Sequence, residues 1–122
     1  MSKKFNKASV IKNMNKSDKK LEQRICNALT DVCHWAQETE PEFEWLTHQV
    51  NYKQFPQSLQ ISCIFTSFAA QQNCNSDLLK AAIIEALKQL DIAIKPNQIH
   101  FDNEQDCSQQ HQGNWAKRLQ QH

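Results

Sequence analysis

Apolar positions along the chain change their period several times, and each change marks an element. Leu21, Ile25, Ala28, Leu29, Val32 and Ala36 recur three or four residues apart, the spacing of one helical face. Ser17 and Asp18 suit a cap and a first turn, and Pro41 biases Glu40 away from helical backbone, so the spacing predicts a helix over 17–39. The period then shortens. Residues 42–52 (EFEWLTHQVNY) are rich in β-favouring side chains and read as a strand. Phe43 and Trp45 share one face of it, whereas Leu46, His48, Val50 and Tyr52 share the other, and either a β-bulge near Trp45–Leu46 or a sheet apolar on both faces at that end accounts for the change of phase. After a turn over 53–57 punctuated by Pro56, Leu59, Ile61, Cys63 and Phe65 alternate with polar residues. That pattern predicts a half-buried second strand over 58–68, hairpinned to the first.

Residues 69–75 read as a connection, and Asn75 or Ser76 caps a second helix over 77–90. Its stripe of Leu79, Ala82, Ile83, Ala86, Leu87 and Leu90 packs on the sheet. Ile92 and Ile94 lead past Pro96 into a third strand over 98–101. Beyond it the chain turns polar and Gln-rich, although Trp115 and Leu119, one helical turn apart, suggest a short helix that docks on the domain. The expectation is an α+β fold: a two-layer α-β-β-α-β sandwich whose three-stranded sheet carries two helices on one face. The domain spans 17–101, preceded by a disordered basic arm over 1–16 and followed by a tail over 102–122 that docks through Trp115.

Composition narrows the chemistry. The 122 residues include one glycine, Gly113. Walker loops, dinucleotide-binding turns and nucleophile elbows each need several glycines, so none can be written here. Gly113 itself is placed to turn the chain so that the last residues fold back on the body. Five cysteines (Cys26, Cys33, Cys63, Cys74, Cys107) include no C-x-x-C pair, which argues against a disulfide framework or a zinc finger. Most of them read as small buried hydrophobes. No run approaches a membrane span or a secretory signal, which implies a cytoplasmic protein.

The net charge of +1 hides a division. Residues 1–24 carry eight basic and two acidic side chains, and the remainder carries six basic and eleven acidic. Lys3, Lys4, Lys7, Lys12, Lys16, Lys19 and Lys20 are the candidate contacts to nucleic acid or another polyanion, unless the arm is only a solubilising tail. For a metal the best-spaced donors are Cys107 and His111, one helical turn apart, joined by His100 from the third strand. His48 could serve as a base to one of the cysteines, but a satisfied, partly buried histidine is the simpler reading. Glu38, Glu40, Glu42 and Glu44 read as a solvated edge rather than paired catalytic carboxylates, and the three tryptophans as core rather than stacking platforms.

L-E-Q-R-I at 21–25, F-E-W-L-T-H at 43–48, the F-P-x-S-L-x-I-x-C-x-F run from Phe55 to Phe65 and the F-D-N-E-x-D-C…H-x-G-N-W-A stretch from Phe101 to Ala116 form a distinctive set. In these motifs, over about residues 20–119, the chain resembles a family of small gammaproteobacterial proteins that go by the label Fis family transcriptional regulator. That label implies a C-terminal helix-turn-helix with a basic recognition helix. The pattern here gives a strand and an acidic, Gln-rich tail instead, so no DNA-contact residue is carried over. The element order is also similar to compact KH-like domains, without their G-x-x-G phosphate clamp. The function expected is that of a non-enzymatic protein without a cofactor, whose partner is another protein or a second copy of itself. Nucleic-acid association through the lysine arm is the alternative, and no membrane contact is expected.

Overall fold

In the computed structural model, which describes residues 14–120, the chain is an α+β domain built on one three-stranded mixed sheet. Helix α1 (Lys16–Thr39) opens it with a capping box. The Asn15 side chain accepts from the Asp18 amide at 2.8 Å and the Asp18 carboxylate accepts from the Asn15 amide at 3.4 Å. The helix stops at Glu40, immediately before Pro41, as the restriction on pre-proline backbone requires.

Strands β1 (Phe43–Gln49) and β2 (Gln60–Phe65) pair antiparallel, and β3 (Ile99–Asn103) pairs parallel to β2. A parallel neighbour needs a crossover, which here runs through α2 (Phe68–Asn73) and α3 (Ser76–Lys88). Residues expected as a plain connection thus include the short helix α2, capped by the Ser67 hydroxyl, which accepts from the Ala70 amide at 3.1 Å. Its pattern was silent because Ala70 is its only buried residue.

Register explains the change of phase in β1. The pairing shifts between Phe43 and Trp45, so Phe43 lies opposite Phe65 whereas Trp45 lies opposite Ile64. Phe43 and Trp45 therefore point to opposite faces rather than sharing one, because the extra residue, Glu44, resets the alternation. On one face Phe43, Leu46, Ile61, Cys63, Phe65 and Ile99 join Ile25, Leu29, Val32 and Ala36 of α1 and Leu79, Ile83 and Leu87 of α3 in a single core. Each fully buried leucine or isoleucine there contributes about 1.5–3 kcal/mol of transfer free energy.

The second face is also covered. Trp45, Thr47, Ser62, Ile64 and Asp102 are all buried on it. Where the sequence pattern suggested a polar tail with one short helix, two helices follow β3: α4 (Glu104–His111) and α5 (Trp115–Leu119). Each begins on an asparagine cap, Asn103 accepting from the Asp106 amide at 2.7 Å and Asn114 from the Lys117 amide at 3.0 Å. Between them Gln112 and Gly113 adopt φ of 54° and 79°, and the Gly113 amide closes back on the Cys107 carbonyl at 3.1 Å. A Cβ on Gly113 would meet nothing, so its glycine answers to backbone conformation and not to space.

Candidate functional site

Three places concentrate the chemistry. The first lies between α1 and β1. Glu22 occupies the inward face of α1, one residue out of step with the leucines, and is 3% exposed. Its Oε1 accepts from the Nε2–H of His48 at 2.9 Å and from the Tyr52 hydroxyl at 2.6 Å, while Oε2 accepts from the Cys26 thiol at 3.2 Å. Burial pushes the carboxyl up, but the hydrogen bonds from His48 and Tyr52 outweigh it and bring the group down to about 2. Burial and the adjoining carboxylate together push the Tyr52 phenol well above its usual range. One atom each from Glu22, Cys26 and His48 lie within 4.8 Å of one another, and this is the one such grouping of three metal-ligating side chains among the described residues.

The second place is the underside formed by α4 and α5. Arg118 donates through Nε to Asp102 Oδ2 at 2.6 Å and through Nη2 to Oδ1 at 2.9 Å, the bidentate fork that suits a carboxylate. Its Nη1 reaches Gln110 Oε1 at 2.9 Å and His111 Nδ1 at 3.1 Å. Glu104 receives two indoles, Trp45 Nε1 at 3.0 Å and Trp115 Nε1 at 2.6 Å, and the rings meet edge to face at 5.1 Å.

Among the described residues the structure does not gather the metal candidates Cys107, His111 and His100 into a set of three close donors. Cys107 is fully buried, and burial pushes its thiol up. His111 faces the permanent cation of Arg118, where a metal ion would be repelled. His100 is bonded to Gln60 at 2.6 Å on the neighbouring strand. The two C-terminal helices do not make a recognition motif either, since α5 has five residues and of its basic pair Arg118 is spent on Asp102. The glutamates are likewise dispersed: Glu40 accepts from the Asn75 amide at 2.6 Å and Glu42 from the Thr66 hydroxyl at 2.7 Å.

The third place is an open groove of about 580 Å³ between the outer sides of α1 and α3. Arg24, Ala28, Asp31 and Trp35 form one wall, and Ala82, Ala86 and Leu90 the other. The alanines keep it open. Trp35 is half-buried here, unlike Trp45, which is in the interior. Of the lysine candidates, Lys16, Lys19 and Lys20 are exposed on the first turns of α1. Lys3, Lys4, Lys7 and Lys12 lie outside the described residues.

Sequence reasoning overlooked Glu22 and the groove. A carboxylate at the i−4 position of Cys26 and i−3 of Ile25 on an otherwise apolar face was the signal for the first. Among the described residues no helix is long and apolar enough to cross a membrane. No protein-family model, curated protein or solved structure matches the chain.

Proposed function

We propose that the chain is a self-associating module, two copies of which pair through the outer stripe of α1, antiparallel across a two-fold axis. The observation that carries this reading is the symmetry of that stripe. Lys20, Arg24, Asn27, Ala28, Asp31 and Trp35 follow one another at steps of four, three, one, three and four residues. The spacing reads the same in both directions about a point between Asn27 and Ala28. A two-fold contact joins residue i to j and j to i, so an axis at that point sets Arg24 against the partner's Asp31 and Lys20 against the partner's Trp35, each twice. The first pair is ionic and the second places a cation against an aromatic ring.

The wider charge layout agrees. The first half of α1, residues 16–27, carries four basic and two acidic side chains, one of the latter being the buried Glu22. The second half carries Asp31 and Glu38 with no basic residue. Lysines at a helix N-terminus and acids near its C-terminus run against the helix dipole, an arrangement that costs a few tenths of a kcal/mol per charge in an isolated helix. An antiparallel partner offsets that cost. Ala28 beside the axis, with Ala82 and Ala86 across the groove, lets the second helix approach closely.

Sedimentation velocity on the wild type and on Arg24→Asp and Asp31→Arg tests the reading. Either substitution puts like charges together at both ends of the seam, so each variant should shift from dimer to monomer at concentrations where the wild type stays paired. A wild type that sediments as a monomer at high concentration overturns it.

A second reading keeps nucleic acid as partner, supported by the exposed Lys16, Lys19 and Lys20. It expects binding of an oligonucleotide that weakens steeply with salt and falls when residues 1–13 are removed. No anisotropy change at low salt rejects it.

A further inference from the structure

We infer that Glu22, Cys26 and His48 form a binding site for a divalent transition metal of the zinc class. The donors come from two rigid elements. Glu22 and Cys26 stand one turn apart on α1, and His48 projects from β1 onto the same spot, at 3%, 7% and 0% exposure. Tetrahedral zinc spaces its nitrogen, oxygen and sulfur ligands roughly 3.3–3.7 Å from one another, as its bond lengths of ~2.0–2.3 Å require. Glu22 Oε2 to Cys26 Sγ is 3.2 Å, and one donor atom from each of the three side chains lies within 4.8 Å of the others, so small side-chain movements bring them to that spacing.

The donor set selects the ion. One sulfur, one nitrogen and one oxygen suit zinc and its neighbours, whereas magnesium and calcium call for oxygen alone. Charge selects it as well. On binding, the Cys26 thiol gives its proton to water and the resulting thiolate forms the metal–sulfur bond. The His48 Nε2 proton passes to Nδ1, so that the Nε2 lone pair faces the ion. A dication with one thiolate and one carboxylate is neutral overall, which is what a buried pocket favours. One proton is released for each ion taken up. Tyr52 keeps its hydrogen bond to Glu22 Oε1 and so orients the carboxylate, leaving Oε2 for the metal and the fourth position for water. Tyr52 is half-buried, so the cluster comes nearest the surface at its edge. The proposal stands apart from self-association, since these side chains point away from the outer stripe of α1.

Titration of Co²⁺ into the reduced, metal-free full chain tests it. The expected result is one equivalent bound, with a thiolate-to-cobalt charge-transfer band in the near ultraviolet and intense visible bands of a four-coordinate ion. Calorimetry in buffers of different ionisation heat should read one proton released per zinc. Cys26→Ser should lose the charge-transfer band, while Cys107→Ser keeps it. Circular dichroism establishes that each variant is folded. Where Cys26→Ser does not fold, the Cys107→Ser control and the wild-type stoichiometry still decide. Absence of the band in the wild type overturns the proposal, as does its persistence in Cys26→Ser. Weak cobalt binding without a sulfur band also overturns it, because surface histidines alone produce that.

Discussion

Glu22 offers the most quantitative test of how this domain holds together. In the metal-free protein its carboxyl is held at about 2, against an ordinary value of 4.5, by donors from His48, Tyr52 and Cys26 that more than compensate its burial. A depressed folded value means that the unfolded chain binds the proton more readily. The stabilisation is therefore complete above pH 4.5 and is lost as pH falls from there toward 2. The difference of about 2.5 pH units corresponds to ~3 kcal/mol, of which ~2 kcal/mol has gone by pH 3. Glu22→Gln removes the titration while keeping the shape. Urea unfolding of wild type and Glu22→Gln, with chelator present at pH 6.5, 4.5 and 3, should show the wild type's advantage shrinking by ~2 kcal/mol between the last two points. An advantage that stays constant over that range would refute the assignment of an ionised, triply hydrogen-bonded carboxylate.

Other consequences concern the two faces of the sheet. Arg118→Met removes the fork that neutralises the Asp102 carboxylate, itself 8% exposed, and should destabilise the fold by ~3 kcal/mol in denaturant titration. The accompanying loosening of Trp115 from Trp45 should appear as a change in tryptophan emission, and an unchanged denaturation midpoint would contradict it. Leu46→Ala, at a fully buried site between the sheet and α1, should cost about 2–5 kcal/mol by the same assay, whereas Leu78→Ala, 40% exposed, should lie within about 0.5 kcal/mol of wild type.

The elements legible in the sequence were those whose burial is one-sided and apolar. The spacing of Ile25, Leu29, Val32 and Ala36 marked α1, the alternation of Ile61, Cys63 and Phe65 marked β2, and both lie in the core as their period requires. The phase change in β1 was visible as well, although its effect on Trp45 was not, because register depends on the partner strand. Helix α4 left no periodic trace, since Cys107 is its single buried residue and an asparagine cap with side-chain hydrogen bonds holds the rest. The Glu22 cluster eluded spacing arguments for a different reason. Its members are 4, 26 and 30 residues apart, and only the packing of α1 on β1 brings them together. Cys107, His111 and His100 had better spacing but are not gathered into one set of close donors: His111 meets Arg118 at 3.1 Å, and His100 meets Gln60 on the neighbouring strand at 2.6 Å.

Self-association through α1 is tested most directly by mixing two variants that cannot pair with themselves. Arg24→Asp presents only acids at positions 24 and 31, and Asp31→Arg presents only bases, so each alone should be monomeric. Mixed in equal amounts they restore an opposite-charge pair at both ends of an antiparallel seam. Sedimentation velocity of the mixture should show the dimer return, with native mass spectrometry giving one copy of each variant. A mixture that stays monomeric while the wild type dimerises, or single variants that dimerise as well as wild type, would contradict the proposed interface.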